Sequence, residues 1–481
     1  MLIDLANFNT NKVEYVIIGT GPASISLAFE LEKKNIKCLL LEAGSFEYSD
    51  DSQEYYEGKL IGKNYLKDID TTRLRSFGGT SYLWGGMCRP FDQGDFDYWP
   101  INKNDLDNYK KKTQNFLNLK NDFLPDKKIN ANINLINFNW GNPILRINNE
   151  DIKNSIEKSK FIYLSINSYV YSLNSLENKI DSINIYNKKN NSFFKKKIKN
   201  LILGCGGPEN CRLLMVSSKK NPGTFLNNPL IGRYFLQHPH SVGAKSVVKY
   251  EKIKQFFDYR YESKDMFFLS PSKNFIDNEK ISNSAVRIML DHKSNKIKDT
   301  IKDLLCVAPK YGEKIFELFS KKTKCTYIKF FAAWEQVPKF ENHIRLDNDN
   351  LDRIGIPKII IESDIGDQTK YSLFKFLETI GHFFIEEDFG RVGIDEFLIL
   401  SGSDFPKGAY GGSHHMGGTK MGTKRSNSVV DKNLLFHGSN NLYVIGASVF
   451  PSCGHANPTF TVCQLSYRLA DYLEKKLNNN L

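Results

Sequence analysis

The stretch Val13-Glu14-Tyr15-Val16-Ile17-Ile18-Gly19-Thr20-Gly21-Pro22-Ala23-Ser24 decides how the chain is read. Val13 to Ile18 is a short, β-rich apolar run and reads as a buried strand. Ile25 to Lys34 reads as an amphipathic helix, and Lys37 to Leu41 as a second strand ending at Glu42. Strand, helix and strand within roughly 30 residues make a βαβ unit. Its nearly all-apolar strands suit a parallel sheet covered on both faces.

The turn between strand and helix has a physical purpose. Gly19 permits a tight turn, and Gly21 lets the backbone approach a pyrophosphate. The third position wants a small residue so that helix and strand can pack, and Ser24 is small. The helix N-terminus then offers free N–H groups and a partial positive charge to phosphates. Glu42 stands 23 residues after Gly19, where a carboxylate accepts hydrogen bonds from ribose hydroxyls and repels a 2′-phosphate. The unit therefore reads as a dinucleotide site and argues against NADP. It does not separate FAD from NAD.

Working outward, two further glycine loops appear. Arg75-Ser76-Phe77-Gly78-Gly79-Thr80-Ser81-Tyr82-Leu83-Trp84-Gly85-Gly86 offers backbone N–H groups able to follow a phosphate or a ring edge. Gly204-Cys205-Gly206-Gly207-Pro208-Glu209-Asn210 follows the strand-like Asn200–Leu203 and precedes a helix start. Near the C-terminus lie Ser413-His414-His415-Met416-Gly417-Gly418-Thr419 and Gly446-Ala447-Ser448-Val449-Phe450-Pro451. The latter runs on to Cys453-Gly454-His455-Ala456-Asn457-Pro458-Thr459. Asn457 reads as the N-cap and Pro458 as the first residue of a final helix reaching Lys475. A histidine in such a site can act as a base at neutral pH. Adjacent histidines seldom ligate one ion and no carboxylate motif accompanies them, so no metal is expected.

Composition bounds the rest. The 481 residues are 41% hydrophobic and 25% charged, as in ordinary globular proteins. No apolar run approaches the roughly 20 residues of a membrane span, and Met1 to Lys12 shows no secretory pattern. The net charge of +12 is spread along the chain, so nucleic-acid binding is not expected. Eight cysteines without a Cys-x-x-Cys spacing suggest a reduced, cytoplasmic protein without structural zinc. Residues 161–203 read as strands with Asn/Lys turns, a β-meander, and 104–118 as helical. Glycine motifs at both ends suggest one domain split in sequence around an inserted second domain.

At this point the sequence resembles the glucose–methanol–choline (GMC) flavoprotein oxidoreductases, in particular the bacterial branch with pyranose oxidase and fructose and gluconate dehydrogenase flavoprotein subunits. The resemblance rests on Gly19-x-Gly21-x-x-Ser24 with Glu42, on Gly78-Gly79-Thr80-Ser81-x-x-Trp84-Gly85-Gly86, and on Gly206-Gly207-x-Glu209-Asn210. It continues through Gly232-Arg233-Tyr234-Phe235-x-x-His238-Pro239, His415-x-x-Gly418-Thr419 and Asn457-Pro458-Thr459. It implies an α/β fold: a split Rossmann-like FAD-binding domain (1–95, 155–245 and 405–481) with an inserted α+β substrate-binding domain (96–154 and 246–404).

The resemblance further implies oxidation of a CH–OH group of an alcohol, sugar or cyclitol to a carbonyl, by hydride transfer to flavin N5. His415 matches the family's base or substrate-orienting residue, and Asn457 its hydrogen-bonding partner, with His414 and His455 as neighbours able to trade roles. The final helix N-terminus would stabilise reduced flavin. FAD contacts are expected from Gly19, Gly21, Pro22, Ala23, Ser24, Glu42, Gly78, Gly79, Thr80, Leu83, Gly446, Ala447, Asn457, Pro458 and Thr459. Some members tether FAD through a histidine where this chain has Leu83, which has no nucleophile, so non-covalent FAD is expected. Many members carry an acidic residue where this chain has Gly446. The electron acceptor stays open among oxygen, a quinone and a protein carrier. Alternatives are a monooxygenase or isomerase on the same scaffold, or an inactive assembly partner.

Overall fold

The computed structural model describes residues 1–62, 68–261, 266–290 and 325–478. Five short apolar segments form a parallel sheet in the order Leu442–Val444, Asn200–Leu203, Tyr15–Ile18, Cys38–Leu41, Ile162–Ser165. Every residue of Tyr15–Ile18 and of Cys38–Leu41 is buried, because helices cover both faces. The first helix runs Pro22–Lys33 and packs against the C-terminal helix Thr459–Leu477. Ile25, Leu27, Ala28 and Leu31 of one, with Phe460, Cys463, Leu469 and Leu473 of the other, share the core with the sheet. Strands from residue 15 and residue 442 thus lie in one sheet, and the α/β class with a Rossmann-like parallel sheet is as the sequence suggested.

Ser168–Leu176, Lys179–Asn187 and Ser192–Lys197 form the antiparallel meander read from the Asn/Lys turns. The helical reading of 104–118 divides into Asn104–Asp107 and Lys110–Phe116.

The second architectural unit is an eight-stranded sheet. Its main path is Gly390–Ile394, His240–Lys249, Cys325–Trp334, Ser284–Leu290, Met266–Pro271, Ile133–Trp140 and Met87–Cys88. The helix Asp367–Glu386 covers it with Leu373, Phe376, Leu377, Ile380 and Phe384, packed on Ile328, Phe330 and Trp334.

The hydrophobic clusters cut the chain more finely than the expected segments. Phe96, Trp99, Ile101, Leu106, Leu117 and Leu119 belong to the parallel-sheet core. Ile344, Ile359 and Ile361 also belong to it, carried by His343–Leu351 and Pro357–Glu362, which pair with each other and with Gly58–Ile61. Buried positions on both sides of these short strands draw them to that core, although they sit inside the 246–404 segment. The part of that segment at 291–324, with Cys306, lies outside the described residues. Six described cysteines are free. Cys325 is disulfide-bonded, a departure from the expectation of fully reduced thiols.

Among the described residues no helix is long and apolar enough to cross a membrane.

Candidate active site

One cavity of about 670 Å³ is walled by the glycine turns on one hand and by histidines on the other. The first turn is built as its sequence demands. Gly19 has φ +96°, and a Cβ there would lie 2.4 Å from the carbonyl oxygen of Gly204. The two strands approach so closely that only glycine fits. Ser24 faces Gly204 in turn, where an added Cβ would meet Ser24 Oγ at 2.3 Å. Ser24 therefore performs the helix–strand packing and does not line the cavity. Gly21 is different: it caps the helix in an extended conformation, and a Cβ there would meet nothing within 4 Å.

Gly206 (φ +87°) and Gly446 (φ +97°) share this property, and both line the cavity. Three turns separated by hundreds of residues thus present bare backbone to one space. Glu42 lines the same space. It accepts hydrogen bonds from the Thr20 hydroxyl at 2.5 Å and from the Gly44 N–H at 2.8 Å. Thr20 Oγ1 accepts in turn from the Gly78 N–H at 3.0 Å. Burial pushes the Glu42 carboxyl above its ordinary range, while Thr20, Gly44 and nearby Arg75 pull it back. Arg75 lines the cavity with its guanidinium over the rings of Tyr55 and Tyr169. Its Nη2 is buried without a hydrogen-bond partner among the described residues. An orphaned guanidinium N–H is costly and marks a place for an acceptor from a ligand.

The rest of the lining is made by side chains. His415 Nε2 lies 3.1 Å from Thr72 Oγ1. Burial, helped by the positive Arg73, lowers the His415 pKa to about 3. Arg73 is held 2.9 Å from Glu209, which lies 3.5 Å from Arg212, and Arg212 lies 2.7 Å from Asp352. His414 Nδ1 meets His238 Nδ1 at 3.1 Å, and His240 stacks on Tyr410 at 4.9 Å. Burial first, then the neighbouring histidines, keeps His414 far below its ordinary pKa. Both His414 and His415 are neutral at pH 7 and line the cavity.

The final helix begins at Thr459, with Pro458 at the cap position. Asn457 therefore does not cap it with its side chain. Its Nδ2 donates to the Met87 carbonyl at 2.8 Å, because that strand end closes over the turn. This leaves the amide oxygen and the second N–H for the cavity, which Asn457, Pro458 and Thr459 all line.

Of the residues singled out from sequence, Gly19, Gly21, Pro22, Ala23, Glu42, Gly79, Thr80, Leu83, His415, Gly446 and Ala447 also line the cavity. Gly78 stands behind it, bonded to Thr20. His455, read as a neighbour able to trade roles, does not reach the cavity. It is fully buried beside Phe138 and 3.8 Å from Asp92. Asp92, Asp95 and His455 bring ligand-type atoms within 4.8 Å of one another. Arg89 pairs with Asp92 at 2.7 Å, and burial, with Asp92 and Glu335 nearby, pushes the Asp95 carboxyl well above its ordinary range. Sequence reasoning missed Thr72, Arg75 as a cavity residue, Val170 and His238. Their only local signal was the lapse of periodicity before Gly78 and the His-Pro dipeptide at 238.

Residues 338–466 match the family model described as GMC oxidoreductase. The chain is 25% identical over 311 residues to the fructose dehydrogenase large subunit of Gluconobacter japonicus, covering 63% of this chain and 52% of that one. It is 24% identical over 291 residues to 2-methyl-1,2-propanediol dehydrogenase of Mycolicibacterium austroafricanum, covering 57% and 47%. The chain thus spans about half the length of the curated relatives it matches. Among solved structures, pyridoxine 4-oxidase from Mesorbium loti superposes with a TM-score of 0.58 at 15% identity, over 96% of this chain and 99% of that one. That likeness shows the shared fold. The segment 338–466 and these relatives make the chain similar to GMC oxidoreductases and to dehydrogenases of sugars and diols.

Proposed function

We propose that the protein is an FAD-dependent oxidoreductase that converts a CH–OH group of a small alcohol, sugar or cyclitol to a carbonyl. The observation that carries this reading is that dinucleotide-type turns and two neutral histidines line one cavity. The residues fit the cofactor: bare Gly21, Gly206 and Gly446 admit it, and the orphaned Arg75 Nη2 awaits an acceptor. The Ala23 N–H at the helix start suits a pyrophosphate, and Glu42 suits a ribose. Leu83 cannot bond covalently to it, so it is held non-covalently. Bound FAD supplies the two-electron acceptor for the donor's hydride.

The chain's own work is orientation and proton transfer. Asn457, anchored to Met87, offers its amide to the donor oxygen. His415, anchored to Thr72, lines the same cavity. One neutral imidazole accepts the hydroxyl proton. The donors of the relatives, fructose and 2-methyl-1,2-propanediol, are the first probes. We place the protein in a reducing compartment, in keeping with its six free described cysteines, while Cys325 stands as the exception.

The test is the visible absorbance of the purified protein under anaerobic titration with D-fructose, cyclitols and 2-methyl-1,2-propanediol. A flavin band that bleaches with a donor supports the reading, and admitting air then tells oxidase from dehydrogenase. A colourless protein that FAD cannot reload would overturn it.

A further inference from the structure

Next to the loop that carries Asn457 lies a polar cluster that the cavity chemistry does not use. His455, two residues before Asn457, is 1% exposed, and neither of its ring nitrogens has a hydrogen-bond partner among the described residues. A buried neutral imidazole has one N–H and one lone pair to satisfy, so two orphaned nitrogens call for a ligand. Its Nδ1 stands 3.8 Å from Asp92 Oδ2, too far for a hydrogen bond. Asp95, 4% exposed, completes a set whose ligand-type atoms lie within 4.8 Å of one another.

Both carboxyls are surrounded by donors. Asp92 accepts from Arg89 Nη2 at 2.7 Å and from Asn283 Nδ2 at 3.4 Å. Asp95 accepts from the Asp92 N–H at 2.8 Å and from Asn283 Nδ2 at 2.9 Å. Donated N–H groups favour the charged form of an acid. Nearby Glu335 accepts from the Gly454 and Asn283 N–H groups in the same way. Arg89 answers these charges, but it is shared with Asp126 at 2.8 Å. Negative charge is therefore in excess. Burial first, then Asp92 and Glu335, pushes the Asp95 carboxyl upward. A divalent cation would relieve both the crowded charge and the orphaned imidazole.

We propose that Asp92, Asp95 and His455 bind a divalent metal ion of the zinc or manganese type. An ion with bonds of about 2.1 Å bridges donor atoms up to about 4.2 Å apart. The 3.8 Å pair already fits, and the widest pair closes by no more than about 0.6 Å. One imidazole with two carboxylates suits Zn²⁺ or Mn²⁺, whereas Ca²⁺ asks for about six to eight oxygens. The His455 ring is neutral at pH 7, since burial lowers its pKa to about 4, and so it has a lone pair to give. Arg89 and Asn283 are the outer partners that orient the carboxylates. Asp92, with 27% of its side chain exposed, gives the ion a route from solvent. The ion fastens the 92–95 turn to the loop that ends at Asn457. The site does not depend on the flavin reading, so each can fail alone.

The test is the metal content of the purified full chain by elemental mass spectrometry, followed by titration with Zn²⁺ and with Mn²⁺. The expected result is one ion per chain, present on isolation or restored by titration after chelation. Bound Mn²⁺ should show an imidazole nitrogen coupling by pulsed EPR. His455→Gln and Asp95→Asn should lose the ion, while His414→Gln, in the cavity, should keep it. Asn283→Ala, which removes an outer partner, should weaken Mn²⁺ binding by about 10- to 100-fold. A chain that holds no ion and takes up neither Zn²⁺ nor Mn²⁺ overturns the proposal. So does an ion kept in both His455→Gln and Asp95→Asn, or one lost in His414→Gln, which would put it among the cavity histidines. If the first two variants do not fold, the wild-type EPR decides together with His414→Gln. A nitrogen coupling that His414→Gln retains supports the site, and no nitrogen coupling at all overturns it.

Discussion

The two walls of the cavity are built by different means. The turn wall is backbone: Gly19, Gly21, Gly206 and Gly446 set its shape through their φ angles and missing side chains. The histidine wall is side chain: Thr72, His238, His414, His415 and Asn457 are set by hydrogen bonds to partners 176, 343 and 370 residues away. The difference teaches where each function is fragile. A backbone wall fails by steric collision, and a side-chain wall by loss of one partner.

The largest effect should come from Gly19→Ala. The new Cβ collides with Gly204 O and the residue keeps φ +96°. Left-handed strain and overpacking together should destabilise the protein by about 3 kcal/mol, read from the urea midpoint. A wild-type midpoint would show that this turn is looser than its geometry. Gly21→Val sharpens the contrast two residues on. Its side chain enters open space at an ordinary φ of −69°, so the apoprotein's midpoint should stay put. FAD affinity should nevertheless drop by about 10²-fold, near 2.7 kcal/mol, measured by fluorescence titration. Unchanged affinity would remove the pyrophosphate from this turn.

On the other wall, Asn457→Ala removes one hydrogen bond to the donor. Flavin reduction should slow by about tenfold, the worth of a single bond, with flavin content retained. A loss of flavin instead would make Asn457 a cofactor ligand alone. The smallest effect is an absence of change. On the proposed reading a neutral imidazole is the base, and the folded protein holds His415 at about 3 and His414 also far below the ordinary value. Protonation on acidification therefore comes well below about pH 6.5, and the rate of flavin reduction should be level from about pH 8 to about pH 6. A limb with its midpoint near 6.5 would show that the histidine wall is more open to solvent than its burial indicates.

The legible parts of the molecule are the local ones. The first βαβ unit was readable because Gly19, Gly21 and Glu42 answer to contacts formed within one turn and two strands. Even there, the helix was read from Ile25 while it starts at Pro22, since proline at the first turn satisfies the helix without continuing the apolar rhythm. The antiparallel sheet had no comparable motif. Its strands pair across long separations, as His240–Lys249 does with Gly390–Ile394. Strands 343–351 and 357–362 joined the parallel-sheet core although their place in the chain suggested the other unit. The motif spacing marked His415 and Asn457 as cavity residues, but gave His455 the same standing as His414, and only one of those two lines the cavity.

By itself the sequence determined the parallel α/β frame, the glycine turns and the pair of adjacent histidines, because each follows from steric rules acting over a few neighbouring residues. Which imidazole nitrogens are engaged was decided only by tertiary structure. Tautomers are set by what lies against each nitrogen, and the partners here are His238 with Cys453 behind it, and Thr72. No spacing along the chain encodes those contacts; only folding brings them within 3.1 Å.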